Sequence, residues 1–175
     1  PNDCTVIGGM PGPEDIAMAG AYAIVSSDDR RAVRAAQAAG TLTDQQYGNL
    51  FALDMRADAP SPLKLLIDSP TDFHPHGLSV WQMGPDTYRL FLINHPAAGG
   101  HTVELFDWQA GAATAVHVDT ITDPHMLSPN DLVATGPRSF FFTNDSGSET
   151  ALGRAVESVF LLDRAQVRYE IRRGQ

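Results

Sequence analysis

The chain has 175 residues, 43% of them apolar and 19% charged, which is enough for one substantial domain with its own core. Its formal net charge is −9 and its pI is near 4.9, so the surface repels phosphate backbones and nucleic acid is not expected as a partner. No run approaches the roughly 20 apolar residues of a membrane span, and Cys4 is the single cysteine, so no disulfide forms within the chain.

Taken in chain order, the pattern is mostly β. Short apolar or alternating runs predict strands at Tyr22–Ser26, Leu50–Met55, Leu63–Ile67, Gly77–Trp81, Tyr88–Asn94, Thr102–Trp108, Ala115–Thr120, Asp131–Thr135, Ser139–Thr143 and Ser158–Asp163. Turn residues bound most of them, including Asp28-Asp29, Gly84-Pro85-Asp86, Gly99-Gly100 and Gly136-Pro137. Phe140-Phe141-Phe142 reads as a strand buried on both faces. Asp29–Ala39 departs from the pattern; rich in Ala, Arg and Gln, it reads as a short surface helix or an insertion loop with a solvated face, followed by Thr43-Asp44-Gln45-Gln46. Cys4 reads as a small, partly buried residue or as one that bonds outside this sequence.

Many short strands with turns every 8–12 residues imply a sandwich, a barrel or a propeller. Internal repetition favours the last. "HGLSVW…YRLFLINH" and "NDLVATG…SFFFTND" share one layout: a polar pair, a short strand, a Gly-Pro turn, a buried strand and a polar tip. Propeller blades repeat every 40–50 residues or so, and their innermost strands all start at one channel. Polar residues far apart in sequence would then converge on one axial site.

Two pairs supply hard oxygen ligands in loops beside strand-like runs: Glu14-Asp15 and Asn130-Asp131. His76 and His95 lie between them and are suited to proton transfer. A hard cation with two histidines describes a metal-assisted hydrolase. Each residue alone has a plainer reading, as a turn acid, a strand-start cap or a loop histidine. His74-x-His76 with His95 could instead form a three-histidine zinc site, although Pro75 argues against a regular strand there. His101, His117 and His125 carry no evident role. No Gly-x-Ser-x-Gly elbow is present to suggest a serine nucleophile.

In order, the segments "GPEDIAM", "DFHPHGLSVW", "LFLINHP", "TVELFDW", "SPNDLVATGPRSFFFTND" and "SVFLLD" resemble the N-terminal half of the paraoxonase/arylesterase family. The resemblance implies an all-β fold, with residues 1–175 forming about half, three to four blades, of a six-bladed β-propeller. It also implies calcium-dependent hydrolysis of a small-molecule lactone or aryl ester. Glu14 and Asn130 would then ligate a catalytic Ca2+. Asp15, Asp131 and the Leu78 carbonyl would ligate a structural Ca2+. His76 and His95 would be the pair that activates water. Cys4 falls where the family has a cysteine bonded to one near its C-terminus.

Two calcium ions need about 12–16 oxygens, more than these residues offer. The remainder is expected from a missing C-terminal half-propeller or from self-association. The start at Pro1 likewise suggests a chain processed or cut from something longer. Weak calcium sites lean the location towards a secreted or periplasmic one. The alternatives are a non-catalytic, calcium-stabilised propeller that binds a partner, and a propeller enzyme of the gluconolactonase or strictosidine-synthase-like type.

Overall fold

A computed structural model of the chain describes residues 4–43, 48–68, 72–148, 150–162 and 164–171. The order is β1 (Pro13–Ala19), β2 (Tyr22–Ser27), α1 (Arg30–Ala39), β3 (Asn49–Asp54), β4 (Leu63–Lys64), β5 (Leu66–Ile67), β6 (Pro75–Gln82) and β7 (Thr87–Asn94). Then follow β8 (Thr102–Gln109), β9 (Thr114–Ile121), β10 (Pro129–Gly136), β11 (Ser139–Asn144), α2 (Ala151–Phe160) and β12 (Gln166–Ile171).

The strands form three sheets, in the orders β1-β2-β3-β4, β5-β9-β8-β7-β6 and β10-β11-β12. Apart from β5, each sheet is an antiparallel meander of consecutive strands. The first strand of each lies innermost: β6 sits between β1 and β10 without backbone pairing to either. Three meander blades ranged side by side on their first strands make a partial β-propeller, as the internal repetition predicts.

The middle blade explains its own sequence. Leu90 and Leu92 of β7 pack with Ile24, Leu50 and Trp108 towards the first blade. Phe91 and Ile93 pack with Leu105, Phe140 and Phe142 towards the third. Side chains alternate faces along a strand, so a strand covered on both sides reads as an unbroken apolar run. Side chains and loops also lace the blades together. Arg89 makes two bonds to Asp107, at 2.8 and 2.9 Å, and one to the Pro137 carbonyl at 3.0 Å.

Several elements differ from the sequence reading, each for a physical reason. Leu63–Ile67 is not one strand but two short ones. β4 pairs with β3 and β5 runs parallel to β9, so the chain changes blades at buried Leu65. Ser158–Asp163 is not a strand. Ser158 to Phe160 end α2, Leu161 and Leu162 follow it, and Asp163 lies outside the described residues. Thr150 caps this helix by accepting the Gly153 amide at 3.0 Å, and Glu157 anchors it through Ser146 at 2.6 Å. Its apolar residues, Leu152, Val156, Val159 and Phe160, have helical spacing, and their C-terminal end, taken alone, mimics a strand.

Phe141 is exposed rather than buried, and stacks on Tyr169 of β12 with ring centroids 4.4 Å apart. Strand β1 leaves little trace in the sequence because its residues alternate weakly, whereas β12 alternates strictly, Val167, Tyr169 and Ile171 against Gln166, Arg168 and Glu170, and was missed by the sequence reading. Cys4 is exposed.

The Asp29–Ala39 stretch is a helix. Asp29 Oδ1 accepts the Ala32 amide at 3.0 Å, and Gly40 closes the helix in the left-handed conformation. Asp44, Gln45 and Gln46 lie outside the described residues. Among the described residues no helix is long and apolar enough to cross a membrane.

Candidate functional site

The three inner strands begin alike. Each opens on a proline: Pro13, Pro75 and Pro129. Each shifts register within its first few residues. Proline donates no ladder hydrogen bond and is tolerated at a strand's first position, while a bulge re-aims the next side chains. The residues after the prolines are Glu14-Asp15, His76-Gly77 and Asn130-Asp131. The polar pairs therefore sit in strand openings, not in loops beside strands as the sequence suggested.

Buried asparagines at the ends of the neighbouring strands fix this geometry. Asn94 Oδ1 accepts the His74 amide at 2.7 Å, and Asn144 Oδ1 accepts the Ser128 amide at 3.1 Å. Each clamps the residue just before a proline. These are the two polar tips recognised in the repeat.

Side chains hold the blades together here. The Leu78 amide donates to Asp15 Oδ2 at 2.7 Å, and Ser26 Oγ donates to the His76 carbonyl at 2.6 Å. On the other side the Ala134 amide donates to Ser79 Oγ at 3.0 Å. Gly77 allows the closest approach of all. A Cβ there would lie 2.6 Å from the Asn130 carbonyl oxygen and 2.8 Å from the Asp131 Cα.

His76 Nε2 lies 3.1 Å from Glu14 Oε2, which also accepts Arg30 of α1 at 2.9 Å. A carboxylate facing a guanidinium accepts, so the His76 proton belongs on Nε2 and its lone pair on Nδ1. That Nδ1 is buried and has no hydrogen-bond partner among the described residues. The His95 ring centroid is 5.3 Å from that of His76. His95 Nδ1 lies 2.8 Å from Nδ1 of His101. His101, which the sequence reading left without a role, also hydrogen-bonds the Leu127 backbone.

One signal could have found His101. With Asn94 opposite Thr102 in the β7–β8 ladder, His95 and His101 flank the hairpin mouth. The other missed group is on α1, which reads as a solvated face. Arg30 and Arg34, one turn apart, line the same open pocket as His76, His95, His101 and Asn130, with a volume of ≈ 310 Å³. Their spacing of four residues was the available signal.

Burial, then the Arg30 charge, brings His76 down to about 4. Burial, then its histidine neighbours His101 and His76, brings His95 down to about 3. Both are therefore neutral bases at pH 7. His74 goes the other way. Burial lowers it, but Asp28 Oδ2 and Asp72 Oδ1, each 3.2 Å from a ring nitrogen, outweigh burial and raise it.

The two shifts have opposite linkage. The unfolded chain protonates His95 near 6.5 while the folded one does not until about 3, so stability falls as pH drops below 6.5. The contribution of His74 is fully present below 6.5 and is lost as pH rises through its raised folded value. Urea unfolding is expected to show greatest stability near pH 6.5, with a loss of up to about 1.4 kcal/mol per pH unit from His95 between pH 6.5 and 5. His95→Gln should make that acid limb shallower, the lowered His76 and His101 keeping the rest of the slope. A wild-type profile flat from pH 5 to 6.5 would contradict the assignment.

As for metals, Glu14, Asp15, Asn130 and Asp131 all stand at the same end of the inner strands. Their carboxylate and amide oxygens are the donors a hard divalent cation takes. The bare Cα of Gly77 leaves the Asn130 carbonyl room. The donor set therefore fits calcium. Among the described residues no three His, Cys, Asp or Glu side chains gather as a metal shell. That disagrees with the three-histidine zinc site: His74 turns to Asp28 and Asp72 while His76 meets Glu14.

A family model described as Arylesterase matches residues 37–172. Serum paraoxonase/arylesterase 2 of Gallus gallus is 40% identical over 101 residues, covering 56% of this chain and 28% of that protein. The Homo sapiens protein of the same name is 31% identical over 125 residues, 70% of this chain and 35% of that protein. Serum paraoxonase/arylesterase 1 of Mus musculus is 35% identical over 102 residues, 56% of this chain and 28% of that protein. Among solved structures, an oxidoreductase (glucose dehydrogenase) of Thermus thermophilus aligns with a TM-score of 0.40 at 15% identity, covering 79% of this chain and 38% of that one. The matched stretch spans about a third of the length of these curated relatives, between 28% and 35%. With the family model matched over most of its length and the blades built as described, the chain belongs to the paraoxonase/arylesterase family.

Proposed function

We propose that this chain supplies part of the active site of a calcium-dependent hydrolase of lactones and aryl esters. The observation that carries the reading is the His76 imidazole. It is held by Glu14 through one nitrogen, while the other keeps its lone pair, is buried and has no hydrogen-bond partner among the described residues. An imidazole lone pair left without a partner can accept a proton from a water that is brought against it when substrate binds. His95 and His101 extend the row. With a ring bond from His101 to the Leu127 carbonyl, His101 Nδ1 accepts from His95 Nδ1, leaving His95 Nε2 as a second acceptor.

Glu14 and Asn130 would hold a catalytic Ca2+, and Asp15, Asp131 and the Leu78 carbonyl a structural one. When bound, the catalytic ion would supply Lewis-acid polarisation of the carbonyl that water attacks. The Asp15–Leu78 bond already joins the first two blades, so a cation at Asp15 and Asp131 would extend the same join to the third. Further ligands would come from protein beyond these residues. The relatives' names place them in serum, and a secreted or periplasmic location suits a protein that depends on abundant calcium.

The test is turnover of an aryl ester and a simple lactone by the full-length protein, before and after exhaustive calcium removal. Both activities should fall to background and return on re-addition of calcium. Persistent turnover without calcium would end the calcium reading. Calcium binding without turnover would favour a non-catalytic scaffold.

A further inference from the structure

The protein is acidic, yet the pocket beside His76 is not. Among the described residues its wall carries Arg30, Arg34 and Arg154, drawn from both helices, against the one acid Asp145. Only 12 of the 175 residues are Lys or Arg, so three at one pocket is a concentration of the scarce charge. Arg30 is engaged by Glu14. Arg34 makes no hydrogen bond or ion pair among the described residues and also lines the adjoining ≈ 210 Å³ pocket beside His95. An Arg fork matches two oxygens of a carboxylate or phosphate, and a cation unneutralised by its own protein is the one available to a ligand.

We infer that Arg34, with Arg154 across the pocket wall, binds an oxyanion carried by the substrate, so that the preferred ester or lactone bears a free carboxylate or phosphate remote from the reacting carbonyl. The inference rests on the hydrolase reading for the word substrate, but the anion site stands on the pocket alone. The field is felt by the neighbouring imidazole: burial and then Arg154 lower His101.

The full-length protein is tested with three matched aryl esters: a neutral butyrate, a glutarate half-ester with a free carboxylate, and a counterpart ending in phosphate. Wild type should favour the anionic esters over the neutral one about 10- to 100-fold in kcat/KM, less so at high salt. Arg34→Gln should erase most of that ratio, and Arg34→Lys should keep part of it. Calorimetric titration with glutarate and with inorganic phosphate reads the same site without turnover. Whichever of the two binds more tightly, and loses that binding in Arg34→Gln, identifies the oxyanion. If no ester is hydrolysed but glutarate or phosphate binds through Arg34, the anion site stands and the hydrolase reading fails. If the neutral and anionic esters are turned over equally and neither anion binds, the inference is overturned.

Discussion

Replacing His76 with Gln in the full-length protein should lower kcat for aryl ester and lactone about 10²- to 10⁴-fold, the range contributed by a positioned general base. Gln is near in size and keeps a donor for Glu14 Oε2, which lies 3.1 Å from His76 Nε2, but has no basic nitrogen in place of Nδ1. KM should change little, because the imidazole contributes to proton transfer rather than to holding substrate. The folded structure should survive, since the strand is held through the His76 carbonyl and the Leu78 amide, which the substitution leaves intact. The measurement is steady-state kinetics at pH 7 beside a thermal melt. A loss below tenfold with an unchanged melt would remove His76 from the role of base.

Gly77→Ala should cost on the order of 2–3 kcal/mol in urea unfolding, because overpacking into backbone cannot be relieved by a rotamer change. The new Cβ would meet the Asn130 carbonyl oxygen at 2.6 Å and the Asp131 Cα at 2.8 Å. Both belong to β10, so the third blade must shift relative to the second. That shift moves two of the proposed calcium-binding residues together, and calcium affinity should fall with stability. Gly8→Ala is the control: a Cβ there meets nothing within 4 Å, and stability should be unchanged. Equal midpoints for the two variants would show that β6 and β10 do not approach as described.

Much of the fold was legible in the sequence because β blades write local patterns. The alternating and continuous apolar runs of β7, β8 and β11, the Gly-Pro turns and the twice-repeated hairpin layout all reflect how a strand sees its nearest layers. The family resemblance pointed to Glu14, Asp15, His76, Leu78, His95, Asn130 and Asp131, which lie at strand openings and a hairpin mouth around the three inner strands. Ser158–Asp163 failed because the end of an exposed helix and a buried strand look alike over a short apolar run. Leu63–Ile67 failed because nothing in a short apolar run says that its two halves pair with different sheets.

Composition, periodicity and repeat by themselves pointed to a mostly β chain of repeated blades with its polar chemistry in loops beside the strands; the structure puts that chemistry in the strand openings. Only the tertiary structure decided which of those groups meet. It paired His76 with Glu14, tied His95 to His101 by a hydrogen bond, and sent His74 to Asp28 and Asp72. It also brought Arg30 and Arg34 from a helix that reads as surface into the wall of the pocket. The reason is physical: inner strands of neighbouring blades share no backbone ladder, so their mutual register follows from side-chain bonds and one close glycine contact. Contacts of that kind leave no periodic trace in the chain.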